Sequence, residues 1–178
     1  VASTVNEILL TRYLLRTVED KKVRRYILNH YIDQFRTTVL RQTMFAEFEM
    51  KAHTLAEQGE ALTVESLNHL YLELNRQYHG KYMGEDETIQ YEWARIPHFY
   101  TAFYVYKYAT GFSCAAAIVR KLETEPGMLE KYKRFLSAGG SNYPLEILKE
   151  AGIDVGEAVQ LCMREFREAL EEFRALVE

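Results

Sequence analysis

Apolar residues recur at helical spacing along almost the whole chain, and no segment shows the convincing alternation of a half-buried strand. Proline, which interrupts helices, occurs only at positions 97, 126 and 144. The pattern predicts a first helix to about Val18. Asp20 is placed to cap a very long helical segment from Lys21 to about Glu57, whose apolar positions Val23, Tyr26, Ile27, Tyr31, Phe35, Val39, Met44, Phe45 and Phe48 form a wide stripe. EQGEALT reads as a turn, and Thr63 as the cap of a helix through about Tyr78, with Glu65 near its positive end. HGKYMGEDET (79–88), charged and glycine-containing, reads as a mobile surface loop. YEWARIP then leads into ARIPHFYTAFYVYKYATGF (94–112), expected to be helical and to continue to about Glu123. Pro126 opens a short helix to Leu136, SAGGSN is a turn, and Pro144 starts a helix that Gly152 ends. Asp154 caps the last helix, whose expected buried face is Val159, Met163, Phe166, Leu170, Phe173 and Leu176. The expectation is an all-α fold, residues 1–178 forming a single helical domain.

Length and charge narrow the function classes. The chain has 178 residues, enough for one domain with its own core, and its composition is that of a soluble globular protein. A formal net charge of −4 argues against a nucleic-acid surface or affinity for anionic lipid. No apolar run approaches the roughly 20 residues that span a membrane, and VASTVNE lacks the basic and apolar regions of a signal peptide. Cys114 and Cys162 lie in apolar helical segments, as buried free thiols do, so the expected location is cytoplasmic. The chain starts without Met, and VASTVNEILLTRYLL reads as a helix already under way with no cap ahead of it, so a piece of a longer protein is expected.

Candidate chemistry is sparse until the aromatic stretch. The five histidines, His30, His53, His69, His79 and His98, form no H-E-x-x-H. Glu65, His69 and Glu73 share a helix face at spacings of four, which reads as a solvated ion-pair face rather than a metal site. Ser113 and Cys114 lie in the small-residue run ATGFSCAAA, where close packing against another helix is the expected role. In contrast, Phe99, Tyr100, Phe103, Tyr104, Tyr106, Tyr108 and Phe112 would point all around one helix. Tyrosine hydroxyls there need partners if buried, or else face a groove where they can donate to an oxyanion or a peptide carbonyl. If helical, His98 would stand about 12 Å from Tyr106, a span suited to two points along an extended ligand. Composition alone leans toward core over cleft.

VASTVNEILL and ARIPHFYTAFYVYKYATGFSCA, with FRTTVLRQTMFAEFE and SAGGSNYP, resemble oligoendopeptidase F of the thimet-oligopeptidase-like zinc metallopeptidases. The resemblance runs through essentially the whole chain. It implies the C-terminal, all-helical part of a catalytic domain in an enzyme that hydrolyses short peptides with zinc. Zinc in that family is held by the two histidines of H-E-x-x-H and by a later glutamate directly preceding the segment that VASTVNE matches. The metal and the general base would therefore lie upstream, in an N-terminal part absent here. This chain would not fully ligate zinc and would be inactive alone. His98 matches a histidine that the family uses on the peptide backbone and on the tetrahedral intermediate. Tyr104 and Tyr106 match a tyrosine pair, with Tyr106 the implied oxyanion donor. Tyr100 is the choice for a further substrate tyrosine, although its spacing is shorter than in related enzymes. The loop 79–88 would cover bound substrate.

A ligand one place before Val1 would share a helix face with Ser3, Thr4 and Glu7. Glu7 then has two readings: orienting a ligand histidine through a hydrogen bond, or a surface carboxylate bonded to a neighbouring helix. Two further expectations compete with the peptidase reading. One is a free-standing helical peptide-binding or scaffold module. The other is a homodimer formed through surface that the missing part would otherwise cover.

Overall fold

The computed structural model of the chain describes residues 1–82, 84 and 86–177, and every regular element among them is helical. The α-helices are α1 (Ala2–Thr17), α2 (Lys21–Gln34), α3 (Arg41–Glu57), α4 (Val64–His79), α5 (Tyr106–Thr124), α6 (Met128–Ala138), α7 (Pro144–Glu150) and α8 (Val155–Val177). The expected long segment is present: a π-helical turn, Phe35–Leu40, joins α2 to α3 without interruption. The anticipated caps also form. Asp20 accepts from the amides of Lys22 (2.7 Å) and Val23 (3.1 Å). Thr63 and Ser66 exchange hydrogen bonds in a capping box, and Asp154 Oδ1 accepts from Glu157 N at 2.9 Å. Past α7, Gly152 takes φ 77°, a conformation that costs glycine little.

Two compact units can be distinguished. The first comprises Val1–Arg36 and the chain from Thr110 onward. Its core contains Val5 and Ile8 of α1, Leu28, Tyr31 and Phe35 from the long segment, and the buried run Phe112–Val119 of α5. Phe35 meets both Tyr31 and Phe112 edge-on, ring centroids 4.9 Å apart in each case. Close packing is the role expected for the small run, and a Cβ added at Gly111 would meet Val1 Cγ2 at 3.9 Å. The apolar stripe of α2 is narrower than expected, because Val23 and Tyr26 are exposed.

The face of α8 is centred differently from expectation. Its deepest positions are Ala158, Cys162, Glu165 and Ala169, while Met163, Phe166, Leu170, Phe173 and Leu176 are half-buried and Val159 is exposed. Small residues let the backbone approach its neighbours, and the large side chains spread to either side. Glu165 is tolerated there because Arg12 pairs with it at 2.5 Å and Arg120 at 3.2 Å. Arg12 also pairs with Glu123, and Arg24 of α2 with Glu172 at 2.7 Å. Burial pushes the Cys114 thiol up from its ordinary pKa and that of Cys162 up to about 11, so both are inert packing groups.

The second unit is Thr37–Ala109. Its core is Met44, Phe45 and Phe48 of α3, Tyr71 and Leu74 of α4, and Ile96 and Val105 from the connection that follows. A buried polar cluster accompanies it: Glu92 accepts from Tyr71 Oη and Arg41 Nη2, each at 2.7 Å, and pairs with Arg95. Trp93 Nε1 donates to Asn68 Oδ1 at 2.8 Å.

The main departure from expectation lies in residues 94–105, which are not α-helical. A 3₁₀ segment runs over Glu87–Arg95, a second over Pro97–Tyr100, and α5 begins only at Tyr106. Two local causes account for this. Pro97 has no N–H and holds Ile96 extended (φ −83°, ψ 106°). Phe103 takes φ 55°, the left-handed region that no α-helix accommodates. In the expected loop 79–88, Gly80–Tyr82 is a 3₁₀ turn and Asp86 caps the Glu87–Arg95 segment, while residues 83 and 85 lie outside the described residues.

Candidate active site

The unexpected path of residues 97–106 assembles an aromatic cluster. A straight helix would have strung His98 and the tyrosines out along its axis. The turn through Phe103 instead folds the chain back, so that the Tyr104 ring stacks on His98 with centroids 5.5 Å apart and an interplanar angle of 27°. Tyr108, on the first turn of α5, meets both: it lies edge-on to His98 at 5.6 Å and to Tyr104 at 5.8 Å. Its hydroxyl is 3.0 Å from His98 Nε2, a hydrogen bond whose direction follows the imidazole tautomer. Partial burial, followed by the Tyr104 hydroxyl, raises the Tyr108 pKa, so Tyr108 keeps its proton at neutral pH. Lys107 Nζ stands 4.8 Å from the centre of the Tyr104 ring, within cation–π range.

This cluster borders solvent. Tyr104 and Tyr106 are 37% and 50% exposed, so both rings face water rather than a packed core. Tyr106 opens α5, next to the cluster in sequence. A phenol at such a position can donate to an oxyanion or a carbonyl oxygen, and a fixed imidazole can do the same or move a proton.

The remaining anticipated residues are placed differently. Tyr100 is 80% exposed, and its hydroxyl donates to the Ala94 carbonyl at 3.2 Å. Glu7 belongs to the first unit, where it is exposed and accepts from Ser3 Oγ at 2.9 Å. That bond lies along the helix face on which Ser3, Thr4 and Glu7 were grouped.

Three residues at or behind the cluster carry no sequence motif. Tyr108 is the His98 partner, and its only signal is the Tyr104–Tyr108 spacing of four on a helix. The other two, Glu49 and His53, stand on α3. Glu49 is buried, and its Oε1 accepts from the Phe103 amide at 2.6 Å. The His53 ring lies 4.7 Å from that of Phe103. A left-handed non-glycine residue costs on the order of 1–2 kcal/mol, so this turn persists because its surroundings hold it.

The donor set offers no complete metal site: among the described residues no group of three or more His, Cys, Asp or Glu could hold an ion. The Glu65–His69–Glu73 face is solvated, with His69 and Glu73 both exposed and 3.6 Å apart. Among the described residues no helix is long and apolar enough to cross a membrane.

Comparison with known proteins identifies the family of the chain. The sequence profile of Peptidase family M3 matches residues 1–164. The chain is 49% identical over 181 residues to oligopeptidase PepF of Bacillus subtilis (strain 168), covering 99% of this chain and 27% of that protein. It is 47% identical to group B oligopeptidase PepB of Streptococcus agalactiae serotype III (strain NEM316), covering 99% of this chain and 30% of that one. The crystal structure of oligoendopeptidase-F from Enterococcus faecium superimposes with a TM-score of 0.96 at 49% identity, over 99% of this chain and 34% of that one. The chain thus spans about a third or less of the relatives it matches.

Proposed function

Because the chain belongs to Peptidase family M3, we propose that it is the C-terminal, substrate-side part of the catalytic domain of a cytoplasmic zinc oligoendopeptidase acting on short peptides. The observation that carries this reading is the solvent-bordering cluster of His98, Tyr104 and Tyr108, with Tyr106 beside it at the start of α5. Tyr106 donates to the oxygen of the scissile carbonyl as negative charge develops there. Removing one such donor costs on the order of 10²-fold in rate. His98, oriented by Tyr108, assists on the same intermediate and on the peptide backbone. Tyr104 supplies a ring and a hydroxyl to the bound peptide, and Tyr100 contributes a further contact at the exposed rim.

Zinc does not fit the donors described, so no catalytic step of this chain is routed through it. The metal and the general base are assigned to the remainder of the peptidase, which is also the principal macromolecular partner. Glu7 is assigned to orienting a metal-binding histidine of that remainder. Homodimerisation of the isolated chain is a secondary proposal, testable by light scattering.

Zinc analysis and a fluorogenic-peptide assay on the purified 178-residue chain test the division of labour. The expected result is no stoichiometric zinc and no turnover. Stoichiometric zinc together with peptide hydrolysis by this chain alone would overturn it.

A further inference from the structure

The buried carboxylate of Glu49 has no place in the chemistry described so far, yet it touches the backbone of the active-site segment. It stands on α3 beside the core residues Phe45 and Phe48 and is only 5% exposed. A carboxylate so placed is costly unless it is hydrogen-bonded. Its oxygen Oε1 accepts from Phe103 N at 2.6 Å, a short, charge-assisted bond.

Phe103 is the only non-glycine residue with positive φ among those described. Its ring is half exposed, so packing into the core does not explain the strained backbone. One turn further along α3, four residues after Glu49, the His53 ring lies against the Phe103 ring at 4.7 Å and 33°. The same helix face therefore holds this residue by both its amide and its ring. The left-handed turn stands between His98 and Tyr104, and its reversal of the chain permits their stacking at 5.5 Å.

We propose that Glu49 is a positioning residue for peptide hydrolysis. Through the Phe103 amide it fixes the left-handed turn that brings Tyr104 onto His98 and sets where α5 and Tyr106 begin. His53 steadies the same turn from the ring side. This rests on the reading of the cluster as the substrate side of a peptidase. A misplacement of about 1 Å in such groups costs on the order of 10²-fold in rate.

The test uses the full-length peptidase carrying these residues, measured with a fluorogenic peptide. Glu49→Ala is expected to lower kcat about ten- to hundredfold, with zinc content and Tm close to wild type. Glu49→Gln, which keeps an acceptor for the amide, should recover kcat to within about threefold of wild type. Hydrogen exchange at the Phe103 amide should accelerate in Glu49→Ala and not in Glu49→Gln. If Glu49→Ala does not fold, Phe103→Val carries the test. The β-branched residue resists positive φ at an exposed position, and a more than tenfold loss of kcat is expected. Tyr106→Phe is measured in parallel to separate the two claims. Loss of turnover in Tyr106→Phe with wild-type kcat in Glu49→Ala overturns the positioning role and leaves the cleft intact. Wild-type kcat in Tyr106→Phe overturns the oxyanion assignment itself.

Discussion

From Phe112 to Val119 every side chain is buried, whereas from His98 to Tyr108 only Val105 is. The two stretches are near neighbours in the chain, and both were expected to belong to one helix. The buried stretch is built mainly of small residues, Ser113, Cys114, Ala115, Ala116 and Ala117, which allow close approach by other helices. The exposed stretch is dense in aromatic rings, which ordinarily supply the largest burial. Burial in this segment follows backbone path rather than hydrophobicity. Pro97 and the left-handed Phe103 turn the chain out of helical register, and the rings of Tyr100, Phe103, Tyr104 and Tyr106 are exposed.

The contrast predicts opposite consequences of substitution. The largest effect is expected for Ala116→Asp, which places an unpaired charge at a fully buried position. A loss of more than about 4 kcal/mol, seen as an unfolded chain by circular dichroism, is expected. Retention of the wild-type denaturation midpoint would break the comparison at its buried end. Glu165→Ala removes the buried partner of Arg12 and Arg120 in the first unit. Urea denaturation should show a loss of about 3 kcal/mol.

Glu92 sharpens the comparison in the second unit. Burial alone would raise its pKa, but hydrogen bonds from Tyr71 and Arg41 and the charges of Arg41 and Arg95 outweigh that and hold it below the ordinary carboxylate range. Its contribution is therefore present above the unfolded carboxylate pKa and is lost as pH falls through the lowered folded value. Glu92→Gln should cost roughly 2 kcal/mol at pH 7. The deficit should shrink as pH falls from the ordinary carboxylate range through the lowered folded value, where Glu92 itself takes up a proton. A deficit unchanged down to pH 2 would contradict this. The smallest stability effect is expected for Tyr108→Phe, which removes only a hydroxyl at the solvent border. A change within about 0.5 kcal/mol should accompany a several-fold loss of kcat as His98 loses its orienting bond.

Much of the fold was legible because its signals are local. Apolar spacing marked the helices from Lys21 to Glu57 and from Thr63 onward, and the caps at Asp20, Thr63 and Asp154 form as side-chain chemistry requires. The path from Ala94 to Val105 was not legible. Its aromatic residues carry no local signal for a left-handed turn, and the Phe103 amide is bonded to Glu49, 54 residues away in sequence. The centre of the α8 face was missed because alanine and cysteine at close approach carry a weaker hydrophobic signal than the flanking Phe and Leu. Burial of Glu165 depends on Arg12, 153 residues distant. At the candidate site, the resemblance supplied His98, Tyr104 and Tyr106. The bond from His98 to Tyr108 required the folded backbone.

The most direct test of the substrate-side reading is kcat for Tyr106→Phe in the full-length peptidase, taken together with its urea midpoint. The account predicts a fall in kcat on the order of 10²-fold or more, with the midpoint unchanged, because the Tyr106 side chain is half exposed rather than packed in the core. Wild-type kcat would contradict it, and so would a fall in kcat that tracked a lost midpoint.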